Sequence, residues 1–302
     1  MSKILIIGAN GFLGTNILQF RNNFDFKDQN ISFVAADLEN SYIPREIPFF
    51  HINITNPEDL FKKIIKISPD IVILTAAMTD VDKNEELKEL ASKINTEAPI
   101  NIMKTCKQTD SKLVFLSTDF VFDGFSKEGN YDERDEPNPI NHYGKTKYEA
   151  EQAIINSEIE FLICRTAVLY GWNKRKLNFI TWILNKLQNN EKITIVTNQI
   201  NNATFVRNLA QILLKLIEKD TKGIYHTVGD GALSRFEMAL KCAQIFNLDE
   251  ALIIPIDHFK QKAKRPKNAG LNISKLKKLI GSELKIFSLD DGLKYMKKNM
   301  TD

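Results

Sequence analysis

Cysteine is scarce in this sequence. Cys106, Cys164 and Cys242 are the only three among 302 residues, and they lie far apart. A disulfide framework needs an even number of cysteines, and a zinc site needs clustered ligands. The four histidines also show no metal-ligand spacing: His51, His142, His226 and His258. We therefore expect buried thiols in a reducing cytoplasm, and no metal site.

Long apolar runs are absent as well. Stretches such as Ile4–Ile7 and Ile71–Leu74 are much shorter than the roughly 20 residues that span a bilayer, and no cleavable apolar leader is recognisable. The 41 Lys and Arg against 38 Asp and Glu leave a formal net charge of only +3. These absences argue against membrane, secreted and nucleic-acid-binding proteins. We expect a cytoplasmic globular protein with a small-molecule partner.

Short β-branched runs alternate with longer amphipathic ones through the first half of the chain. The pattern predicts strands at 3–7, 31–36, 70–74, 112–117 and 160–166, and helices at 12–21, 57–67, 85–107 and 143–155. This alternation is typical of βαβ units on a parallel sheet. We expect an α/β protein with a doubly wound parallel sheet.

The pattern changes after Tyr170. Helices are predicted at 177–188, 204–218 and 234–246, with short strands at 193–196 and 224–227 between them. We therefore divide the chain into a nucleotide-binding domain, residues 1–170, and a smaller, mostly helical substrate lobe, residues 171–302. Late strands around 195–230 are expected to return to the first domain, so that the two parts interleave.

Three glycines, Gly8, Gly11 and Gly14, follow the first predicted strand and open the first helix. Glycine is needed where a turn has positive φ and where backbone approaches a pyrophosphate, and the helix N-terminus offers N–H groups to phosphates. An ordinary strand-to-helix turn is the alternative. Asp37 ends the second strand, where it can accept the ribose hydroxyls of NAD and repel the 2′-phosphate of NADP. Arg45 in the next loop could meet that 2′-phosphate, so we expect NAD(H) or NADP(H), with a preference for NAD(H).

Tyr143 and Lys147 lie four residues apart, on one face of a predicted helix. A lysine ammonium beside a phenol is expected to lower the phenol pKa from about 10, which makes an acid/base pair. Ser117 and Thr118 end the strand before it, where open α/β sheets bind ligands, and either hydroxyl can hold a carbonyl. An exposed helix pair and a loop cap are the alternatives.

Together these residues resemble the extended short-chain dehydrogenase/reductase family, with its NAD(P)-binding Rossmann fold, and within it the dTDP-4-dehydrorhamnose reductases. The resemblance covers nearly the whole chain. Its motifs are the glycine loop, Thr75–Lys83, Asn95, Ser117–Gly124, Tyr143–Lys147, Arg165-Thr166, Tyr170-Gly171 and Arg265-Pro266.

This resemblance implies reduction of the 4-keto group of a nucleotide-linked deoxysugar, in which Tyr143 supplies the proton, Lys147 supports it and Thr118 orients the carbonyl. The implied substrate contacts are Thr118, Asp119, Val168 and Arg265, the last through the diphosphate. The implied cofactor contacts, beside Tyr143 and Lys147, are Gly8, Asn10, Gly11, Phe12, Leu13, Gly14, Asp37, Asn53, Ile54, Ala76, Ala77 and Met78. Because family members often pair through helices, the resemblance also implies a homodimer that could pair through the helices at 85–107 and 143–155. The alternative is that these helices pack on the sheet.

Related activities remain open to different degrees. Sugar-nucleotide dehydratases of the family usually carry Glu where this chain has Phe120, so dehydration is disfavoured, whereas epimerases share the Tyr and Lys pair. Val168 replaces a Trp that the reductases tend to carry, and Asn53 replaces an Asp. The C-terminal half also resembles the regulatory beta subunit of methionine adenosyltransferase, a non-catalytic relative. That resemblance implies a cofactor-binding partner of methionine adenosyltransferase as the rival function.

Overall fold

The computed structural model of the chain describes residues 2–23, 31–125 and 129–300. The strands are β1 Lys3–Ile7, β2 Ser32–Asp37, β3 Phe49–His51, β4 Ile71–Leu74, β5 Lys112–Thr118, β6 Phe161–Thr166, β7 Leu169–Tyr170, β8 Ile193–Val196, β9 Ile200–Asn202, β10 Thr204–Phe205, β11 Gly223–His226, β12 Ala232–Ser234 and β13 Ile253–Ile256. The α-helices are α1 Phe12–Phe20, α2 Pro57–Ile67, α3 Val81–Glu86, α4 Lys88–Ser92, α5 Ala98–Thr109, α6 His142–Ile155, α7 Phe179–Gln188, α8 Val206–Glu218, α9 Arg235–Phe246, α10 Ser274–Ile280 and α11 Leu289–Lys298.

Seven strands form one parallel sheet in the order β11-β6-β5-β4-β1-β2-β3. The chain builds β1 to β3 outward in one direction and then crosses back to place β4 on the other side of β1. Such a reversal opens a crevice at the carboxyl ends of the strands, where doubly wound folds bind ligands. The predicted doubly wound α/β fold is confirmed.

Both faces of the sheet are buried, which explains the continuously apolar strands. Ile4 and Ile6 of β1 face one side, toward α1 and α8, whereas Leu5 and Ile7 face the other, toward α2, α5 and α6. A third core lies among α7, α9 and α11. Two strand pairs accompany this lobe, β8 with β13 and β9 with β12, while β11 joins the large sheet beside β6. The division at residue 170 stays a prediction.

The single helix predicted at 85–107 is wrong. Leu87 leaves helical geometry (φ −119°, ψ 54°) and separates α3 from α4, and a π-helical turn, Lys93–Glu97, separates α4 from α5. Pro99 follows that turn and has no N–H for the helical ladder, so the backbone widens locally before it. The widened turn buries Asn95, which matters for the site below.

Three further expectations concern burial and surface. Cys106, Cys164 and Cys242 are buried free thiols, as predicted. Within the described ranges, no helix combines the length and the apolar character needed to cross a bilayer. The α5 and α6 helices, which the homodimer prediction uses, bury apolar faces against the sheet. A dimer therefore stays a prediction.

Candidate active site

A cleft of about 670 Å³ opens at the carboxyl ends of β1, β4 and β5. One wall comes from the Rossmann half, and the other from the segment after β6 together with the start of α9. The walls are lined by Gly8, Gly11, Phe12, Leu13, Asp37, Thr75, Ala76, Ala77, Thr79, Val81, Leu116, Ser117, Thr118, Asp119, Phe120, Tyr143, Lys147, Thr166, Ala167, Val168, Leu169, Asn173, Lys176, Leu177, Asn178 and Arg235.

The glycine loop needs its glycines for close backbone approach. Gly8 has a φ of +90°, and a Cβ there would lie 2.5 Å from the Ala76 backbone nitrogen. A Cβ on Gly14, which is buried behind the loop, would lie 2.3 Å from the Gly8 carbonyl oxygen. Gly11 precedes α1 without any side-chain cap, so the first N–H groups of α1 are free of a side-chain acceptor. The glycine loop and the free N–H groups at the start of α1 therefore suit a pyrophosphate.

Asp37 is fixed at the end of β2. Its carboxylate accepts hydrogen bonds from the backbone N–H of Asn10 (2.9 Å) and of Leu38 (2.7 Å). The Asn10 side chain is buried and accepts from the Tyr42 backbone N–H (2.9 Å). Asp37 thus lies in the cleft wall beside the glycine loop, and Asn10 connects that loop to the segment after β2.

The loop after β4 closes the same wall. Thr75 Oγ1 donates to the Gly8 carbonyl (2.9 Å), and Ala76 and Ala77 line the cleft. Met78 is not among the lining residues; its N–H donates to Asn95 Oδ1 (2.9 Å), and Asn95 Nδ2 donates to its carbonyl (3.0 Å). Asn95 therefore positions this loop, which explains its place among the motifs.

Asn53 and Ile54 lie after β3 and are not among the residues that line the cleft. Asn53 Oδ1 accepts from the backbone N–H of Thr55 (3.0 Å) and from its hydroxyl (2.8 Å), while Ile54 packs against the core. Both sit at the same edge of the sheet as Asp37, since β2 and β3 are parallel neighbours.

The structure brings Thr118, Tyr143 and Lys147 together in the cleft. Thr118 ends β5, and α6 presents Tyr143 and Lys147 one turn apart. The α6 helix lies so close to the loop after β5 that a Cβ on Gly144 would be 2.0 Å from the Phe120 carbonyl oxygen. The Tyr143 ring meets the Phe120 ring edge-on, with 6.2 Å between centroids. Glycine at 144 is therefore a packing requirement.

Asp119 links the two walls. Its Oδ1 accepts from Thr118 Oγ1 (3.0 Å), and its Oδ2 accepts from Asn201 Nδ2 (2.6 Å) in the C-terminal half. Burial raises the pKa of Asp119 to about 6, against the opposing effect of these hydrogen bonds and of Arg235. Sequence reasoning missed Asn201, because no local pattern connects it with a residue so far away in the chain.

The expected lowering of the Tyr143 pKa by Lys147 is wrong for this structure. Burial and the negative charge of Asp119 raise the pKa of Tyr143 well above its ordinary value, and the Thr118 hydroxyl opposes them only in part. Burial also lowers the pKa of Lys147 to about 7, with Glu151 acting in the opposite direction. Lys147 Nζ lies 4.0 Å from the Phe115 ring centroid. Desolvation of the Tyr143 phenol therefore outweighs the attraction by the Lys147 ammonium that the four-residue spacing predicts, and the pKa of Tyr143 is raised.

Two buried hydroxyls in the cleft, Ser117 Oγ and Thr166 Oγ1, have no hydrogen-bond partner among the described residues. Buried polar atoms are normally satisfied, so these two hydroxyls are available to hydrogen-bond a ligand in the cleft. Val168 also lines the cleft, with a φ of +42° that is strained for a β-branched residue.

Arg265 does not line the cleft. Its guanidinium pairs with Asp82 (3.2 Å) and donates to the Ala263 carbonyl (2.9 Å). Sequence reasoning also missed Arg235, a cleft-lining cation at the start of α9. The available signal was its position directly after the N-cap Ser234, although a helix start alone does not reveal which way a side chain faces.

A parallel Rossmann-type sheet with a glycine loop and a Tyr-x-x-x-Lys helix beside it defines the class of extended short-chain dehydrogenase/reductases. Residues 2–300 match the family model described as "RmlD substrate binding domain", and the chain belongs to that family. The predicted family is therefore confirmed.

The chain is similar to proteins with different functions. A dTDP-4-dehydrorhamnose reductase from Aggregatibacter actinomycetemcomitans is 28% identical over 93% of this chain and 94% of the relative. The methionine adenosyltransferase 2 subunit beta from Rattus norvegicus is 31% identical over 92% of this chain and 82% of the relative. The crystal structure of a Bacillus anthracis dTDP-4-dehydrorhamnose reductase in complex with NADP is 30% identical, with a TM-score of 0.84 over 99% of both chains.

Proposed function

We propose that this chain is an NAD(P)H-dependent reductase that acts on the 4-keto group of a nucleotide-activated deoxysugar. The observation that carries the proposal is the meeting of Thr118, Tyr143 and Lys147 in a cleft whose adjoining wall is the glycine loop. The similarity to dTDP-4-dehydrorhamnose reductases over nearly the full length of the chain supports the substrate class.

The proposed dinucleotide cofactor is supported by residues that suit its pyrophosphate and its ribose. The free N–H groups at the start of α1, beside Gly11, suit a pyrophosphate, and Asp37 has the remaining acceptor capacity for ribose hydroxyls. When bound with its nicotinamide near Ala76, Ala77, Ser117 and Thr166, the cofactor would supply the hydride. Asp37 favours NAD(H), while NADP occupies the B. anthracis relative, so both cofactors belong in the assay.

The proposed proton chemistry follows from the pKa directions. Tyr143 is neutral at physiological pH because burial raises its pKa, so it holds the proton that the new alkoxide must receive. The Thr118 hydroxyl, which donates to Asp119 in this structure, would turn its proton to the substrate carbonyl to orient it, and Lys147 places a titratable cation one turn along α6. Asp119 and Val168 complete the substrate end of the cleft.

The test is consumption of NADH or NADPH with dTDP-4-dehydrorhamnose, followed by absorbance. We expect Tyr143→Phe to lower kcat by about 10²- to 10⁴-fold, because the general acid is removed while its ring remains. Tyr148→Phe, one position beyond Lys147 on the same helix and outside the cleft lining, is the matched control and should keep wild-type kcat. Turnover that survives Tyr143→Phe would contradict the proposed role.

A second candidate function is a dinucleotide-binding regulatory subunit of methionine adenosyltransferase. The similarity to the beta subunits of that enzyme, 31% identity over 92% of this chain, favours it. The discriminating experiment mixes purified wild-type protein with the catalytic subunit and measures co-elution by size exclusion. Co-elution together with inertness toward keto sugars would favour this candidate over the reductase.

A further inference from the structure

Arg235 is held rigidly in the wall of the cleft that the C-terminal half provides. It is the first residue of α9, after a capping box in which Ser234 and Glu237 satisfy each other's backbone N–H groups. The Arg235 N–H donates to the Gln199 carbonyl (2.9 Å), and its guanidinium carbon lies 4.7 Å from the Phe179 ring centroid. Backbone and side chain are therefore both preorganised.

The guanidinium of Arg235 has no anionic partner within the described part of the chain. Carboxylates pair with other arginines there: Glu46 with Arg21, Asp132 with Arg134, Glu151 with Arg165 and Asp82 with Arg265. Arg235 is half-buried, and a cation removed from water without a counterion is costly. This cost indicates that the anion comes from a ligand.

Asp119 does not serve as that counterion. It acts on Arg235 only at longer range, and its two oxygens already accept hydrogen bonds from Thr118 and Asn201. Burial lowers the pKa of Arg235 to about 10, with Asp119 raising it and Arg265 lowering it further. The side chain therefore stays protonated at neutral pH, beside the proposed sugar end of the cleft.

The backbone N–H groups of the glycine loop and the guanidinium of Arg235 lie on different walls of the cleft, whose lining also includes Lys147 and Lys176. We propose that Arg235 binds the diphosphate of the nucleotide-linked substrate and thereby selects nucleotide sugars over free keto sugars. A planar guanidinium can donate two parallel hydrogen bonds to phosphate oxygens, which an ammonium cannot match. The proposal rests on the proposed function and assigns to Arg235 the contact that the sequence assigned to Arg265.

The test is calorimetric titration of NAD-saturated protein with thymidine, thymidine diphosphate, uridine and uridine diphosphate. For wild type we expect the better diphosphate to bind at least about tenfold more tightly than its nucleoside, since hydrogen bonds to charged groups contribute about 1.5–3 kcal/mol. Arg235→Met should abolish this preference without changing nucleoside affinity, and Arg235→Lys should restore only part of it. Arg134→Met removes an exposed arginine that does not line the cleft, and it should behave as wild type.

The outcomes separate this proposal from the proposed function. The role of Arg235 is overturned if Arg235→Met keeps the wild-type preference for the diphosphate. It is also overturned if the wild type shows no such preference. Either result holds even if turnover depends on Tyr143. The diphosphate site at Arg235 is supported if Arg235→Met loses the preference while its NADH binding and unfolding temperature stay at wild-type values. This holds even if no keto sugar is reduced. Where turnover exists, Arg235→Met should raise KM about tenfold and leave kcat nearly unchanged; the reverse split contradicts a diphosphate contact.

Discussion

The two walls of the cleft are built in different ways. The wall around β1 is made largely of backbone: Gly8 and Gly14 let main-chain atoms approach closely, and Asp37 and Asn95 bond to main-chain groups. The opposite wall is made of side chains from distant segments, such as Asn201 on Asp119 and Arg235 over Phe179. We therefore expect the first wall to tolerate fewer substitutions than the second, where a new side chain would change the ligand.

The largest expected effect comes from breaking the backbone wall. Gly8→Ala should weaken NADH binding by about 100-fold or more and destabilise the fold by about 1–3 kcal/mol, because the new Cβ meets the Ala76 nitrogen at 2.5 Å in a left-handed conformation. Fluorescence titration and chemical denaturation measure the two effects.

Gly223→Ala is the matched control for that change. Gly223 has the same φ of +90°, but a Cβ there meets nothing within 4 Å. It should show the conformational penalty alone and keep wild-type NADH affinity. Equal loss of affinity in both variants would show that close approach at Gly8 is not what the cofactor wall requires.

A smaller effect is expected from Asp119 in the side-chain wall. Its pKa rises from an ordinary 3.8 to about 6 on folding, so the folded state binds the proton more tightly. The free energy of unfolding of the wild type, taken relative to that of Asp119→Asn, should therefore fall by about 2 kcal/mol as pH rises from about 4 to 6. Denaturation curves of both proteins recorded across this range measure the difference.

Asp123→Asn is the control for Asp119, because folding lowers the pKa of Asp123, with hydrogen bonds from Phe125, Asn138 and Tyr131 outweighing burial. That variant should keep the wild-type pH dependence between pH 4 and 6. If Asp119→Asn showed the same pH dependence as the wild type there, the result would contradict the buried, proton-retaining state of Asp119.

The smallest expected effect is a pH dependence at Lys147. Burial lowers its pKa to about 7, so the ammonium is present below this pH and is lost above it. If the charge supports catalysis, kcat/KM should decrease about tenfold per pH unit above 7. Lys147→Arg, which stays charged, should remove this decrease from the profile of whatever activity it retains. A wild-type profile flat from pH 7 to 9 would exclude a catalytic role for that charge.

The contrast between the walls also explains what could be predicted from the sequence. Gly8, Gly11 and Gly14 are local demands of backbone geometry, and Tyr143 and Lys147 lie one turn apart, so short motifs reveal them. The break at Leu87 and the π-turn before Pro99 were hidden by good helical periodicity on both sides. The contacts of Asn201 and Arg235, and the ion pair that holds Arg265, depend on tertiary packing that no local pattern encodes.

The central claim is hydride transfer into a substrate carbonyl at this cleft, and isotope transfer tests it most directly. NADH or NADPH carrying deuterium at the transferred position of nicotinamide C4 is incubated with dTDP-4-dehydrorhamnose, and the recovered sugar is analysed by mass spectrometry. We expect one deuterium at the former carbonyl carbon, and about 10²- to 10⁴-fold slower labelling with Tyr143→Phe. Recovery of unlabelled sugar from the wild-type reaction would contradict the claim, and an epimerised sugar with no net cofactor consumption would identify the epimerase instead.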